Sequence, residues 1–139
     1  MDTHILNVSK DTLITGNHLF TKDDILIQIC DICSDFCTPY HKFKIIYYFE
    51  FADIEPGDKH FYDMEEFAFS STHAKKIVEI FKDAWYHDQN IVVQCNKGLS
   101  RSGAICDAGI IFGFSDIGTH KTPNQYIKNM LLKEMSMII

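Results

Sequence analysis

The feature that most constrains this chain is a short apolar run that ends in a polar loop and leads into a second apolar segment. Residues 91–94 are Ile-Val-Val-Gln, and residues 95–104 are Cys-Asn-Lys-Gly-Leu-Ser-Arg-Ser-Gly-Ala. The β-branched run predicts a buried strand, and the glycines predict a tight loop. The pattern therefore predicts a strand, a loop and a helix in succession, with Cys95 and the chain's only arginine, Arg101, in the loop.

Length and composition predict one domain over residues 1–139. Hydrophobic residues make up 46% of the chain and charged residues 23%, which is ordinary for a globular protein. The apolar runs are too short to span a bilayer, and the first residues lack the basic and apolar order of a signal peptide. We therefore expect a cytoplasmic protein without membrane contact. Of the 13 basic residues only one is an arginine, which is typical of a low-GC or viral genome, and a viral source would imply the host cytoplasm.

Charge argues against nucleic acid as a partner. The formal net charge is −6, and the lysines are scattered singly along the chain. Binding a nucleic-acid backbone requires a concentrated basic face. Any anion site in this chain must therefore be local.

The remaining pattern predicts an α/β sandwich with a central, mostly parallel sheet flanked by helices. Strands are expected at residues 4–8, 24–30, 43–51 and 91–93, and helices over residues 70–87, over about 105–112 and after residue 123. We expect the first strand at an edge, followed by a polar turn at 9–11, and the second and third strands at the centre of the sheet. The acidic segment 51–70 predicts a long functional loop. Ligands bind beyond the carboxyl ends of strands in such sheets, which is where Cys95 is expected.

The residues of the loop are suited to phosphate chemistry. A cysteine attacks as the thiolate, which nearby cations and a helix N-terminus stabilise. The planar guanidinium of Arg101 can hold two phosphoryl oxygens, which lysine cannot do. Ser102 can donate a hydrogen bond to the thiolate when the sulfur leaves. Backbone N–H groups can complete the cradle, and its expected residues are Asn96, Lys97, Gly98, Leu99, Ser100 and Arg101.

Residues 95–102 resemble the Cys-x5-Arg-Ser/Thr signature of the cysteine-dependent protein tyrosine and dual-specificity phosphatases. Weaker similarity to small phosphatase-like proteins of bacteria and phages extends over residues 24–104, through Asp24-Ile25-Leu26-Ile27, Phe51-Ala52-Asp53-Ile54 and His73. The resemblance implies a phosphotyrosine phosphatase-like fold and hydrolysis through a phosphocysteine intermediate, with no metal and no cofactor. It also implies a phosphorylated protein as substrate and partner, carrying phosphotyrosine or else phosphoserine or phosphothreonine.

The family supplies a general acid from an aspartate on a mobile upstream loop. Asp53 directly follows a predicted strand, which would fix its side chain over the site, and we expect it to be the acid. Asp63 has a spacing closer to that of the dual-specificity enzymes and is the alternative acid. Asp58 is a third candidate.

One departure from the family pattern affects the expected rate. The residue before the cysteine is usually histidine, and this chain has Gln94. The histidine helps to order the loop, so we expect its replacement to slow the reaction. The alternative function is therefore a catalytically weak or inactive phosphatase-like module that binds phosphorylated partners.

The remaining cysteines allow two further interpretations. Cys30, Cys33 and Cys37 with His41 contain a C-x2-C spacing that can bind zinc. We expect no metal site, because zinc motifs usually pair two separated knuckles, whereas these residues are crowded at one strand end. Cys30 or Cys33 could instead shield Cys95 through a reversible disulfide.

Overall fold

A five-stranded, all-parallel sheet forms the centre of the protein, and the computed structural model describes residues 2–137. The strands are β1 (His4–Val8), β2 (Ile25–Cys30), β3 (Ile45–Glu50), β4 (Ile91–Gln94) and β5 (Ser115–Asp116). The helices are α1 (Lys10–Thr15), α2 (Ser71–Tyr86), α3 (Arg101–Phe112) and α4 (Gln125–Ser136), with a short 3₁₀ helix at Glu65–Phe67. The strand order is β3-β2-β4-β1-β5. The predicted α/β architecture with a parallel sheet flanked by helices is confirmed.

The sheet is buried on both faces, which explains the continuous apolar runs of β2 and β4. On the larger face, side chains such as Ile27 and Val93 pack against α2, α3 and α4. On the smaller face, Leu26 and Val92 pack against Leu13 of α1 and the segment around Phe43. Full burial of such a side chain stabilises the fold by about 1.5–3 kcal/mol. The two faces together fix the sheet rigidly beneath the loop that follows β4.

The prediction that β1 is an edge strand is wrong. β1 lies between β4 and β5, and its residues from Ile5 to Val8 are all buried. The alternation of apolar and polar residues suggested one solvent-facing side, with Asn7 on it. In the structure the side chain of Asn7 is buried, and its burial is compensated by hydrogen bonds to backbone groups of two loops.

The prediction that β2 and β3 form the sheet centre is wrong for β3. β4 is the middle strand, and β3 is an edge strand with Ile45 and Tyr48 exposed. Of the residues of β3 only Phe49 is buried, and the other apolar and aromatic side chains are exposed or partly buried. The ammonium group of Lys76 lies 5.5 Å from the centroid of the Tyr47 ring. This cation–π contact covers a side chain of the edge strand that is only partly buried.

The segment after β1 is a helix instead of the predicted turn. The Ser9 side chain accepts a hydrogen bond from Thr12 N, as an N-cap does, and Gly16 ends α1 in the left-handed conformation with φ +77°. This helix was not predicted because its six residues are too few to show a helical pattern of apolar positions. α1 brings the end of β1 close to the loop that follows β4.

The predicted helix over residues 70–87 is present as α2. Ser70 caps its N-terminus, and Ser70 N donates a hydrogen bond to Nδ1 of His73 at 3.0 Å. This is a capping box in which histidine replaces the usual glutamate or glutamine. Burial lowers the pKa of His73, which favours the neutral ring that can accept this bond. His73 thus has a structural role at the helix start.

The last helix begins at Gln125, and its N-cap is Asn124, whose side chain accepts from Ile127 N. The predicted position just after Pro123 is therefore close to the observed start. The same Asn124 side chain donates to Asp53 Oδ1 and Ile54 O. α4 therefore anchors the start of the acidic 51–70 segment. Within residues 2–137, no helix combines the length and apolarity needed to cross a membrane.

Candidate active site

Cys95 lies at the carboxyl end of the middle strand, where the chain leaves β4. Its backbone N–H donates to Val8 O at 3.3 Å, which continues the parallel pairing with β1 by one residue. The side chain is 2% exposed, and its Sγ lies 3.1 Å from Oγ of Ser102. Ser102 is fully buried in the first turn of α3. The sulfur therefore has one hydroxyl neighbour at the positive end of a helix, as expected from the sequence.

Arg101 is the first residue of α3, and its guanidinium is held from one side. Nη1 donates to Asp31 Oδ1 at 2.7 Å and to Phe51 O at 3.0 Å. The residue is only 5% exposed, and Nε has no hydrogen-bond partner in the described part of the chain. A buried cation with an unused donor is costly unless another group pairs with it. The arginine is thus positioned by two acceptors, and its Nε is buried without a partner.

Gly98 allows the loop to approach the end of β1 closely. Its φ is +72°, and a Cβ there would lie 2.4 Å from both Ser9 N and Val8 C. These neighbours are backbone atoms that cannot move aside. Glycine is therefore required by packing against β1 and α1.

The carbonyl groups of the loop are bound by its neighbours. Asn7 Nδ2 donates to Gly98 O at 2.7 Å and to His120 O at 2.9 Å, and Lys10 N donates to Asn96 O at 3.0 Å. On the other side, Thr122 N donates to Leu99 O at 3.1 Å and Asn124 N donates to Ser100 O at 3.2 Å. Four carbonyls of the loop are thus satisfied from outside it.

The N–H groups of the same loop have no such partners. No backbone N–H of residues 96–100 donates a hydrogen bond to any residue between 2 and 137. The first N–H groups of a helix are also unpaired by its geometry, and α3 begins at Arg101. Engaged carbonyls and free N–H groups make the loop a concave set of donors, which suits an anion.

A cavity of about 350 Å³ opens over this loop. Its lining residues are Asp53, Cys95, Asn96, Lys97, Leu99, Ser100, Arg101 and Thr122. The structure thus brings together most of the residues that the sequence singled out. Gly98 and Ser102 do not line the cavity: Gly98 packs against β1, and Ser102 lies beside the cysteine sulfur.

Asp53 is fixed at the rim of the cavity by one of its two carboxylate oxygens. Oδ1 accepts from Ser100 Oγ at 2.9 Å and from Asn124 Nδ2 at 2.9 Å. Oδ2 accepts no hydrogen bond from the described residues. The carboxylate is therefore oriented by the loop and by α4, and it keeps one oxygen for a ligand.

The other two candidate acids lie elsewhere. The Asp63 side chain is 80% exposed and lies 3.4 Å from His60 Nδ1, and it does not line the cavity. Asp58 accepts from Glu55 N and is likewise absent from the lining. Of the three aspartates, only Asp53 is placed where it can reach a group bound over Cys95.

The Gln94 side chain lies on the opposite face of the sheet from the Cys95 side chain. Its Oε1 accepts from Gln28 Nε2 at 3.1 Å, and Cys37 Sγ lies 3.9 Å away. These bonds link β4 to β2 and to the segment after β2. None of the hydrogen bonds of the Gln94 side chain reaches the loop that carries Cys95.

The cysteines near the end of β2 give no support to a zinc site. Within residues 2–137, no three His, Cys, Asp or Glu side chains are grouped so that they could hold a metal ion. Burial is the main cause that raises the pKa of Cys30 and of Cys37, so both favour the thiol over the thiolate that binds metal. All five cysteines are free.

The sequence missed three residues that shape this site, namely Asn7, Asp31 and Asn124. Asn7 interrupts an otherwise apolar strand, and a polar residue in such a place is a signal of a buried hydrogen bond. Asp31 directly follows β2, just as Asp53 comes soon after β3. Asn124 is an N-cap residue type before a helix.

Comparison of the chain with protein-family models and with curated proteins finds no match. Its function is therefore inferred from the geometry of the loop and its neighbours. The relevant features are the free N–H groups, the fixed Arg101, the buried Cys95 and the oriented Asp53.

We predict that Asn7→Ala loosens the loop. The substitution leaves the Gly98 and His120 carbonyls without their donor, and an unpaired buried polar group costs about 1–3 kcal/mol. Hydrogen–deuterium exchange should accelerate at the amides of Lys10 and Thr122, which donate to loop carbonyls, and the free energy of unfolding should fall.

Asn90→Ala is the matched control, because Asn90 bonds to Asp24 and His4 near the other ends of the strands. It should lower stability without a selective effect on exchange at the amides of Lys10 and Thr122. Equal exchange at these two amides in the two variants would contradict the assigned role of Asn7.

Proposed function

We propose that the protein is a phosphomonoester hydrolase of the cysteine-dependent protein tyrosine or dual-specificity phosphatase type. The observation that carries the proposal is the loop 96–100, whose carbonyls are engaged and whose N–H groups are free, between Cys95 and Arg101. A phosphate dianion offers several acceptors in a compact volume, and it can satisfy these N–H groups together beside the guanidinium of Arg101. A sulfur at the base of such a cradle lies beneath the phosphorus atom.

In the first step the Cys95 thiolate attacks phosphorus, and a sulfur–phosphorus bond forms while the bond to the leaving oxygen breaks. Asp53 gives its proton to that oxygen, which leaves as an alcohol or phenol. Oδ2 of Asp53 is the oxygen suited to this transfer, because Oδ1 already accepts from Ser100 and Asn124. Arg101 and the loop N–H groups stabilise the charge on the equatorial oxygens.

In the second step water attacks the phosphocysteine, and Asp53 accepts the proton that the water loses. The sulfur–phosphorus bond breaks, and Cys95 leaves as the thiolate. Ser102, with its Oγ 3.1 Å from Sγ, donates a hydrogen bond to the departing sulfur. The products are inorganic phosphate and the free enzyme, and no metal or other cofactor takes part in this scheme.

Asp31 positions Arg101 for both steps. The guanidinium is planar, so anchoring Nη1 at Asp31 and Phe51 O fixes the plane in which its other N–H groups lie. A mobile arginine would lose conformational freedom each time it bound phosphate. Here that loss is reduced, because the fold already holds the side chain.

The proposed substrate is a phosphorylated protein in the cytoplasm. Leu99 is the one apolar side chain apart from Cys95 among the residues that line the cavity, and no aromatic ring belongs to that lining. The cavity therefore selects the phosphoryl group more strongly than the ring of phosphotyrosine, which supports phosphoserine and phosphothreonine as substrates beside phosphotyrosine. We also propose that the α/β fold is of the phosphotyrosine phosphatase type.

We predict that the wild-type protein hydrolyses p-nitrophenyl phosphate and that Cys95→Ser lowers kcat by at least about 10³-fold, as removal of a nucleophile does. Serine preserves the loop, so inorganic phosphate should still bind to the variant in isothermal titration calorimetry. Release of p-nitrophenol gives the rate.

Undiminished turnover by Cys95→Ser would contradict the proposed nucleophile. Phosphate binding by a wild-type protein without turnover would instead identify a module that binds phosphorylated partners. Cys106→Ser is the matched control, because burial raises the pKa of Cys106 to about 12 and the residue lies within α3, away from the cavity lining.

We predict that Asp53→Asn lowers kcat by about 10²–10⁴-fold with phenyl phosphate, whose leaving group needs a proton. The loss should be smaller with p-nitrophenyl phosphate, because its leaving group is a weaker base. Asp63→Asn should retain near-normal rates with both substrates. The reverse result would assign the acid to Asp63, and near-normal rates in both variants would reject both.

A further inference from the structure

A second cavity, of about 410 Å³, lies beside the catalytic loop at the end of β1. It is formed by the end of β1, by α1 and by the segments at residues 17–19 and 117–119. Its lining residues are Leu6, Asn7, Val8, Ser9, Thr12, Asn17, His18, Leu19, Lys97, Ile117 and Thr119. Cys95, Arg101 and Asp53 do not belong to this lining, and Lys97 is the one residue that it shares with the lining of the proposed phosphate site.

The walls of this second cavity combine an apolar floor with a polar rim. Leu6 and Val8 belong to the buried cluster on the smaller face of the sheet, and Ile117 packs against that cluster. Leu19 extends the apolar surface to the opening and is 61% exposed. A volume in this range matches cavities that hold small organic ligands. The floor favours the apolar body of such a ligand.

The electrostatics of the second cavity are unusual for this chain. The protein has 19 acidic residues and a net charge of −6, and no acidic side chain belongs to the lining. Four further cavities in residues 2–137 each include at least one carboxylate. Lys97 supplies the cationic side chain of the second cavity.

His18 adds an unsatisfied polar atom to this wall. Its Nδ1 lies 3.0 Å from Leu19 O, which can only accept, so Nδ1 carries the proton. Its Nε2 is buried without a hydrogen-bond partner in the described residues. In this tautomer Nε2 is an acceptor, so its missing partner is a donor such as a water O–H.

We propose that this cavity binds a small organic molecule with an apolar body and a single carboxylate. The body would pack on Leu6, Val8 and Ile117, and the carboxylate would lie near the ammonium group of Lys97. The single ammonium group of Lys97 matches the single negative charge of a carboxylate. A polyphosphate or a nucleotide would need a denser set of cations and donors.

Calorimetric titration with 2-naphthoate, and with its neutral counterpart 2-naphthamide, tests the proposal. Asn17→Asp is the decisive variant, because it adds a carboxylate to the rim with almost no change of size, and Asn17 is exposed. We expect wild type to bind the naphthoate at least about tenfold tighter than the amide, a difference of about 1.4 kcal/mol. Asn17→Asp should remove that preference and leave the affinity for the amide unchanged.

The pair Leu19→Asp and Leu19→Asn repeats the test at a second exposed position, with equal size and different charge. Naphthoate should bind more weakly to the aspartate variant than to the asparagine variant. Excess inorganic phosphate should not displace the naphthoate. Absence of binding to wild type, equal affinities across each pair of variants, or displacement by phosphate would overturn the proposal. The experiment needs no phosphatase activity, so its outcome is independent of the proposed reaction.

Discussion

The parallel pairing of β4 with both β1 and β2 is the constraint on which the rest of the site depends. In a parallel sheet the carboxyl ends of neighbouring strands lie at the same edge, so the chain leaves β4 between the ends of two others. Cys95 follows β4, Asp31 follows β2, and Ser9 follows β1. The thiol, the carboxylate that holds Arg101 and the start of α1 are thereby brought together without any local sequence signal.

The loop after β4 gains its chemical character from how its backbone is paired. Asn7 and Lys10 bind two of its carbonyls from the side of β1, and residues 122–124 bind two more from the side of α4. The N–H groups are left for a ligand, and Arg101 adds a fixed cation at the helix start. An anion bound there would meet donors that are already oriented, which limits the reorganisation that binding and catalysis require.

Sequence reasoning succeeded where the pattern is local. The strand, loop and helix around Cys95 follow from consecutive residues, and the location of Asp53 beside the loop follows from its position after a strand. It failed to predict the order of the strands within the sheet. The aromatic residues of β3 suggested a central strand, and Asn7 suggested that β1 lies at an edge. The roles of Asn7 and Asp31 depend on contacts with residues far along the chain. Those contacts depend on the order of the strands in the sheet, and no short segment of a single sequence encodes that order.

A covalent bond between phosphorus and Cys95 is the central chemical claim. In the proposed mechanism Asp53→Asn slows the second step, because the variant lacks the base that activates water, while p-nitrophenolate still leaves without receiving a proton. The most direct measurement is therefore acid-quench mass spectrometry of this variant during turnover of p-nitrophenyl phosphate. The account predicts one added phosphoryl group on the peptide that contains Cys95. Turnover with no phosphoryl group on Cys95, or with the group on another residue, would contradict it.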